Sequence, residues 1–157
     1  MSNLAAHDDA AQPTRLLVVD ADDRTRESIV GLLGIRDRFV VVGGAGHASA
    51  ALALVREQHP DVVILDPRLP ELTDGVSLIR RIRSTHPSIR ILALGWSPDL
   101  EHDTMAAGAD GLLRKKFKPA ELTGAIERCI DDVPGDDADG SPDASPLGPR
   151  SAAGMIL

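Results

Sequence analysis

The chain has 157 residues, a formal net charge of −7 and 43% hydrophobic residues, but only 2% aromatics and no tyrosine. That length favours one domain with a real core; the acidic balance argues against phosphate-backbone binding by the whole chain, and the shortage of rings against a stacking platform for single-stranded nucleic acid. The single cysteine, Cys129, excludes an internal disulfide framework, and with no signal-peptide pattern and no apolar run of membrane length the expected setting is cytoplasmic.

Residues 1–14 are small, polar and without period, and read as a flexible arm. Arg15 to Asp20 is a first strand that ends in an aspartate, and Asp22 or Asp23 can cap a helix over Arg24–Leu33. Phe39–Val42 is a second strand running into a loop with Gly43, Gly44 and Gly46, whose spacing is wrong for a phosphate-binding Gly-x-Gly-x-x-Gly. A helix over Ala48–His59 stops at Pro60.

The most informative stretch is Asp61–Pro70, Asp-Val-Val-Ile-Leu-Asp-Pro-Arg-Leu-Pro. Val62–Leu65 is an unbroken apolar run, the pattern of a strand buried on both faces. Pro67 holds Asp66 extended at the strand's end. A loop through Asp74 and Gly75 leads to a helix over Val76–Thr85, with Leu78, Ile79 and Ile82 inward and Arg80, Arg81 and Arg83 in water. Ile89–Leu94 is a fourth strand, Asp99–Ala107 a helix, Gly111–Arg114 a fifth strand and Pro119–Ile130 a last helix with Cys129 on its apolar stripe. The ordered domain spans 15–131. From 132 to 157 the chain turns acidic and rich in Pro, Gly and Ser, a disordered tail.

Five strand–helix units in succession specify an α/β fold, a doubly wound five-stranded parallel sheet with helices on both faces. Chemistry gathers at the carboxyl ends of such strands. Strand one delivers Asp20 there, strand three Asp66 and strand five Lys115. Clustered carboxylates need a cation, and oxygen ligands suit a hard ion such as Mg²⁺. An aspartate can accept a phosphoryl group, and an adjacent lysine can neutralise charge on it.

With these residues in view, the chain resembles a receiver domain of bacterial two-component response regulators. The likeness rests on Leu17–Asp20, Pro60–Pro70, Asp74–Gly75, Gly108–Lys115 and Pro119–Leu122. It implies that Asp66 is the phosphoacceptor served by a histidine kinase, that Asp20 and Asp66 are metal ligands with the backbone carbonyl of Arg68, and that Lys115 supports the phosphoryl group. It also implies signalling by protein–protein contact, with self-association through the face built from the fourth and fifth strands and their helices. Three positions depart from the pattern. Ala21 replaces the second acid, so Mg²⁺ should bind weakly unless Asp22 stands in. Gly95 replaces the serine or threonine that closes on the phosphoryl group. Leu112 replaces the aromatic that follows that movement. Trp96 stands where a small residue usually lines the site. These departures suggest an atypical, stand-alone receiver.

Two other readings compete. The domain can be a pseudo-receiver or scaffold, controlled by partner or ligand binding without phosphorylation. More distantly, Asp20-Ala21-Asp22 resembles the Asp-x-Asp motif of haloacid-dehalogenase-type phosphatases, with Asp20 as nucleophile, although Arg24 and the placement of Asp131–Asp132 do not suit that family. The first two readings are not enzymes. Nothing after Ile130 forms a helix-turn-helix, so no direct DNA binding is expected.

Overall fold

The computed structural model describes residues 12–95 and 97–132. The elements alternate from end to end: β1 (Thr14–Val19), α1 (Asp23–Leu33), β2 (Phe39–Ala45), α2 (Ala48–Gln58), β3 (Val62–Leu65), α3 (Leu72–Thr85), β4 (Arg90–Gly95), α4 (Asp99–Ala107), β5 (Gly111–Arg114) and α5 (Pro119–Asp131). All strand pairings are parallel, in the order β2-β1-β3-β4-β5. This is the doubly wound sheet expected from the sequence.

Side-chain alternation along the strands divides the core in two. Leu17, Val19, Val63, Leu65, Ile91 and Ala93 face α2, α3 and α4. Leu16, Val18, Val62, Ile64, Leu92 and Leu94 face α1 and α5, where Ile29, Leu33, Leu122, Ile126 and Cys129 meet them. Burial pushes the Cys129 thiol up to about 11, so it is an inert core group at neutral pH.

Several boundaries move. Thr14 belongs to β1, where it pairs with Phe39, and not to the N-terminal arm; the rest of that arm, except Gln12 and Pro13, and the tail beyond Asp132 lie outside the described residues. β2 continues through Gly43 and Gly44 to Ala45, because β1 supplies pairing partners up to Val19; those glycines are strand, not loop. α2 ends at Gln58, and His59 takes a left-handed cap with φ 48° before Pro60. α3 starts at Leu72, four residues earlier than the apolar period suggests, because Glu71 and Asp74 close its first turn. Gly75 is therefore helical, and a side chain there is impossible: a Cβ would stand 1.8 Å from the Pro67 carbonyl oxygen.

Arg83 is not in water as its place on α3 suggested. Its guanidinium donates to the carbonyls of Pro87 (2.8 Å), Ile89 (3.0 Å) and Gly108 (2.8 Å) and to Asp110 Oδ2 (2.6 Å). Asp110 Oδ2 also accepts from the Ile91 N–H at 2.8 Å. One forked cation thus ties the end of α3 to the starts of β4 and β5, at the sheet edge opposite the acidic rim.

Glycines in helices carry opposite expectations here. Gly31 on α1 is exposed and a Cβ there would meet nothing within 4 Å, so Gly31→Ala is expected to stabilise by about 0.5–1 kcal/mol. Gly75→Ala is expected to destabilise by at least about 2 kcal/mol. Urea unfolding of the two variants beside the native chain checks both signs.

Candidate functional site

Parallel register sets the site. Val19 pairs with Leu65, so Asp20 and Asp66 leave adjacent strands at one level. Each is fixed through its own backbone: Asp20 N–H donates to the Ala45 carbonyl (3.0 Å), and Asp66 N–H to the Val19 carbonyl (2.9 Å). Gly95 pairs with Arg114, and the Lys115 N–H donates to the Gly95 carbonyl at 2.8 Å, which turns Lys115 back toward the centre of the sheet.

There the Lys115 ammonium joins the two carboxylates. Nζ donates to Asp20 Oδ2 at 2.7 Å and to Asp66 Oδ2 in a short contact. The side chains are 5%, 4% and 8% exposed, respectively. The remaining carboxylate oxygens accept from the backbone, Asp20 Oδ1 from the Asp22 N–H at 2.9 Å and Asp66 Oδ1 from the Arg68 N–H at 2.8 Å. Burial alone pushes the Lys115 ammonium down, but the hydrogen bonds and charges of Asp20 and Asp66 outweigh it and hold it above the ordinary lysine value.

The structure thus brings together Asp20, Asp66 and Lys115, with Gly95 contributing its carbonyl and Arg68 its N–H. Asp22 does not join them. Its exposed carboxylate caps α1 by accepting from the Thr25 N–H at 2.8 Å, and that bond is the main cause holding it below the usual carboxylate range. Trp96 lies outside the described residues. Leu112 is partly buried against the core on the α2–α4 side.

For a hard divalent ion the side chains supply two carboxylates, and Ala21 offers none. Among the described residues no group of three His, Cys, Asp or Glu side chains is arranged to hold a metal. Also among them, no helix is long and apolar enough to cross a membrane.

Two participants escaped sequence reasoning. Arg26 of α1 reaches back so that Nη1 donates to the Asp20 carbonyl at 2.7 Å, and Nη2 pairs with Asp23 Oδ1 at 2.6 Å; the i,i+3 spacing from Asp23 was a visible signal for the second contact only. Leu100, fully buried at the start of α4, covers Gly95: a Cβ at Gly95 would stand 3.0 Å from Leu100 Cδ1. No sequence pattern announces that contact.

Lys115→Met would leave two buried carboxylates side by side without their cation. At neutral pH the expected loss is about 3–5 kcal/mol, partly regained on acidification as a carboxylate takes up a proton. In the native chain stability also falls with rising pH, but in a different, alkaline window. Because folding raises the Lys115 value above 10.5, its contribution is complete below that pH and lost as pH climbs through the folded value. Unfolding midpoints measured across pH for both proteins check the two windows: an acid-side gain in the variant only, and an alkaline loss in the native chain.

Residues 16–127 match the family described as response regulator receiver domain. The DNA-binding transcriptional activator DevR/DosR of Mycobacterium tuberculosis is 36% identical over 115 residues, covering 72% of this chain and 52% of that protein. The response regulator GacA of Pseudomonas viridiflava is 34% identical over 114 residues, covering 71% and 53%. The solved signal receiver domain of NarL from M. tuberculosis superposes with a TM-score of 0.71 at 30% identity, over 77% of this chain and 98% of that one. A LuxR-family two-component response regulator from Aurantimonas sp. SI85-9A1 gives 0.70 at 33% identity, covering 76% and 86%. The chain spans about half the length of the curated relatives it matches. Since one of them is a DNA-binding protein, the likeness lends no support to the expectation of no direct DNA contact. With a family match over most of the chain, a five-stranded parallel sheet in register and an aspartate–lysine–aspartate cluster at its strand ends, the chain belongs to the response regulator receiver domain family.

Proposed function

We propose that this chain is an atypical receiver that signals by protein–protein contact, with Asp66 as a slow phosphoacceptor weakly coupled to the α4–β5 face. The observation that carries this reading is the buried Lys115 ammonium joining Asp66 to Asp20 at the strand ends. An Asp66 oxygen attacks the phosphorus of a kinase phosphohistidine or small acyl phosphate, and the bond to the donor breaks as the acyl phosphate forms. Lys115 then faces the transferred oxygens and neutralises their charge. To do so its ammonium must give up part of its hold on a carboxylate, which slows the step.

Mg²⁺ fits this site weakly. Asp20 and Asp66, with the Arg68 carbonyl and waters, would hold it, and Ala21 leaves the set one carboxylate short. When bound, the ion neutralises charge on the phosphoryl oxygens.

A second reading, a pseudo-receiver that works without phosphorylation, draws on Gly95. That residue has no hydroxyl for a phosphoryl oxygen, and the space beside its Cα is taken by Leu100. In both readings the chain acts through a partner, a histidine kinase upstream and a second protein or a second copy at the α4–β5 face. Met105 on α4, 41% exposed, belongs to that face.

Acetyl phosphate with Mg²⁺, followed by intact-mass measurement, tests the acceptor. A single phosphoryl adduct that accumulates slowly on the native chain and is absent from Asp66→Asn is expected. A folded native chain with no adduct replaces this reading by the pseudo-receiver. For the contact surface, sedimentation velocity is expected to show reversible self-association that Met105→Glu weakens; monomer alone at high concentration removes the homodimer.

A further inference from the structure

The glycines at the end of β2 form no phosphate cradle, yet each lies against a particular side chain. A Cβ at Gly43 would meet both Leu54 methyl carbons at 3.3 Å, so Gly43 lets α2 close on the sheet. Gly44 is the next residue and faces the other way. A Cβ there would stand 3.3 Å from Arg26 Cδ and 3.6 Å from its Cγ and Nε. At Gly46 it would stand 3.2 Å from Arg26 Nη1. Stem and head of Arg26 therefore lie in a trough floored by two bare backbones. Neither glycine has a positive φ, so conformational freedom does not explain them. Space does.

The head of Arg26 ends on Asp20. Nη1 donates to the Asp20 carbonyl at 2.7 Å, while the Asp20 N–H is held by Ala45 and its carboxylate faces Lys115. The residue's backbone is thus pinned on both sides. The next residue, Ala21, has no polar side chain with which to hold the loop.

We propose that Arg26 is a positioning residue for the phosphoryl site, seated by Gly44 and Gly46, and that it fixes Asp20 so that its carboxylate closes on Lys115 without an acid at position 21. The inference rests on taking Asp20 and Lys115 as the site, but not on whether Asp66 is ever phosphorylated. Its test uses no phosphodonor, so the two can fail separately. A role as mere nearby charge has the opposite consequence, since removing a cation removes its repulsion of the Lys115 ammonium and leaves that ammonium held more tightly.

The readout is the exchange of the Lys115 ammonium protons with water, followed by proton–nitrogen NMR on the full chain at fixed low temperature and pH. An ammonium locked between buried carboxylates exchanges only through local opening. Arg26→Gln is expected to speed that exchange about tenfold. Gly44→Val leaves Arg26 intact and favours the strand, but fills the trough, and is expected to act in the same direction. Ile82→Val, a core change far from the trough, supplies the control for general loss of stability and is expected to leave the exchange unchanged. Unchanged or slower exchange in Arg26→Gln overturns the proposal. So does an effect of Arg26→Gln that Gly44→Val fails to reproduce, or an equal effect in the Ile82→Val control.

Discussion

One buried cation governs this molecule's working edge. Lys115 arrives from the last strand of the sheet and meets carboxylates from β1 and β3, so it closes a contact across three non-adjacent segments of chain. Two carboxylates this close and this buried could not both stay ionised alone. Their geometry is possible because the ammonium is there, and the ammonium is there because the Gly95 carbonyl turns its backbone inward. Each oxygen left over accepts a backbone N–H from the turn that follows its strand, so the cluster also orders the first residues of two loops. Charge, loop conformation and strand register are one constraint.

The same cluster explains how the site holds together with alanine at position 21 and glycine at position 95. With alanine at position 21 there is no third carboxylate there to repel the pair, and one lysine bridges both acids. Around it, long side chains pack over bare glycine backbone. Leu100 covers Gly95, and Arg26 lies over Gly44 and Gly46. In each case a glycine in a strand or just after it makes room for a long side chain from a neighbouring helix.

Much of this was legible in the sequence, for definite reasons. The strand Val62–Leu65 announces itself because burial on both faces demands consecutive apolar residues, and Asp66 is located by the proline that follows. Parallel alternation then places Asp20 and Lys115 at the same edge without further information. The errors share a cause as well. Sequence alone ends β2 at Val42 because glycine disfavours strands locally, whereas pairing with β1 carries it to Ala45. Asp22 reads first as a cap and second as a stand-in ligand, and the Thr25 N–H fixes it as the cap. Arg83 looked like a solvated arginine because one-dimensional periodicity shows which face a residue is on, not how far a long side chain reaches. Leu100 and Arg26 act through contacts between elements that no periodicity records.

Arg83 has a mechanical meaning beyond its hydrogen bonds. It pins the Gly108 carbonyl and Asp110, the lower end of the α4–β5 connection, to α3 and β4. Gly108, at φ 120°, takes the sharp reversal there. With that end bolted, α4 is a lever with a fixed fulcrum. A helix of nine residues is about 13 Å long, and a tilt of about 10° about its lower end carries its first turn roughly 2 Å. Leu100 rides on that first turn. A given tilt of α4 therefore displaces the turn that carries Leu100 most and the pinned end beside Gly108 least.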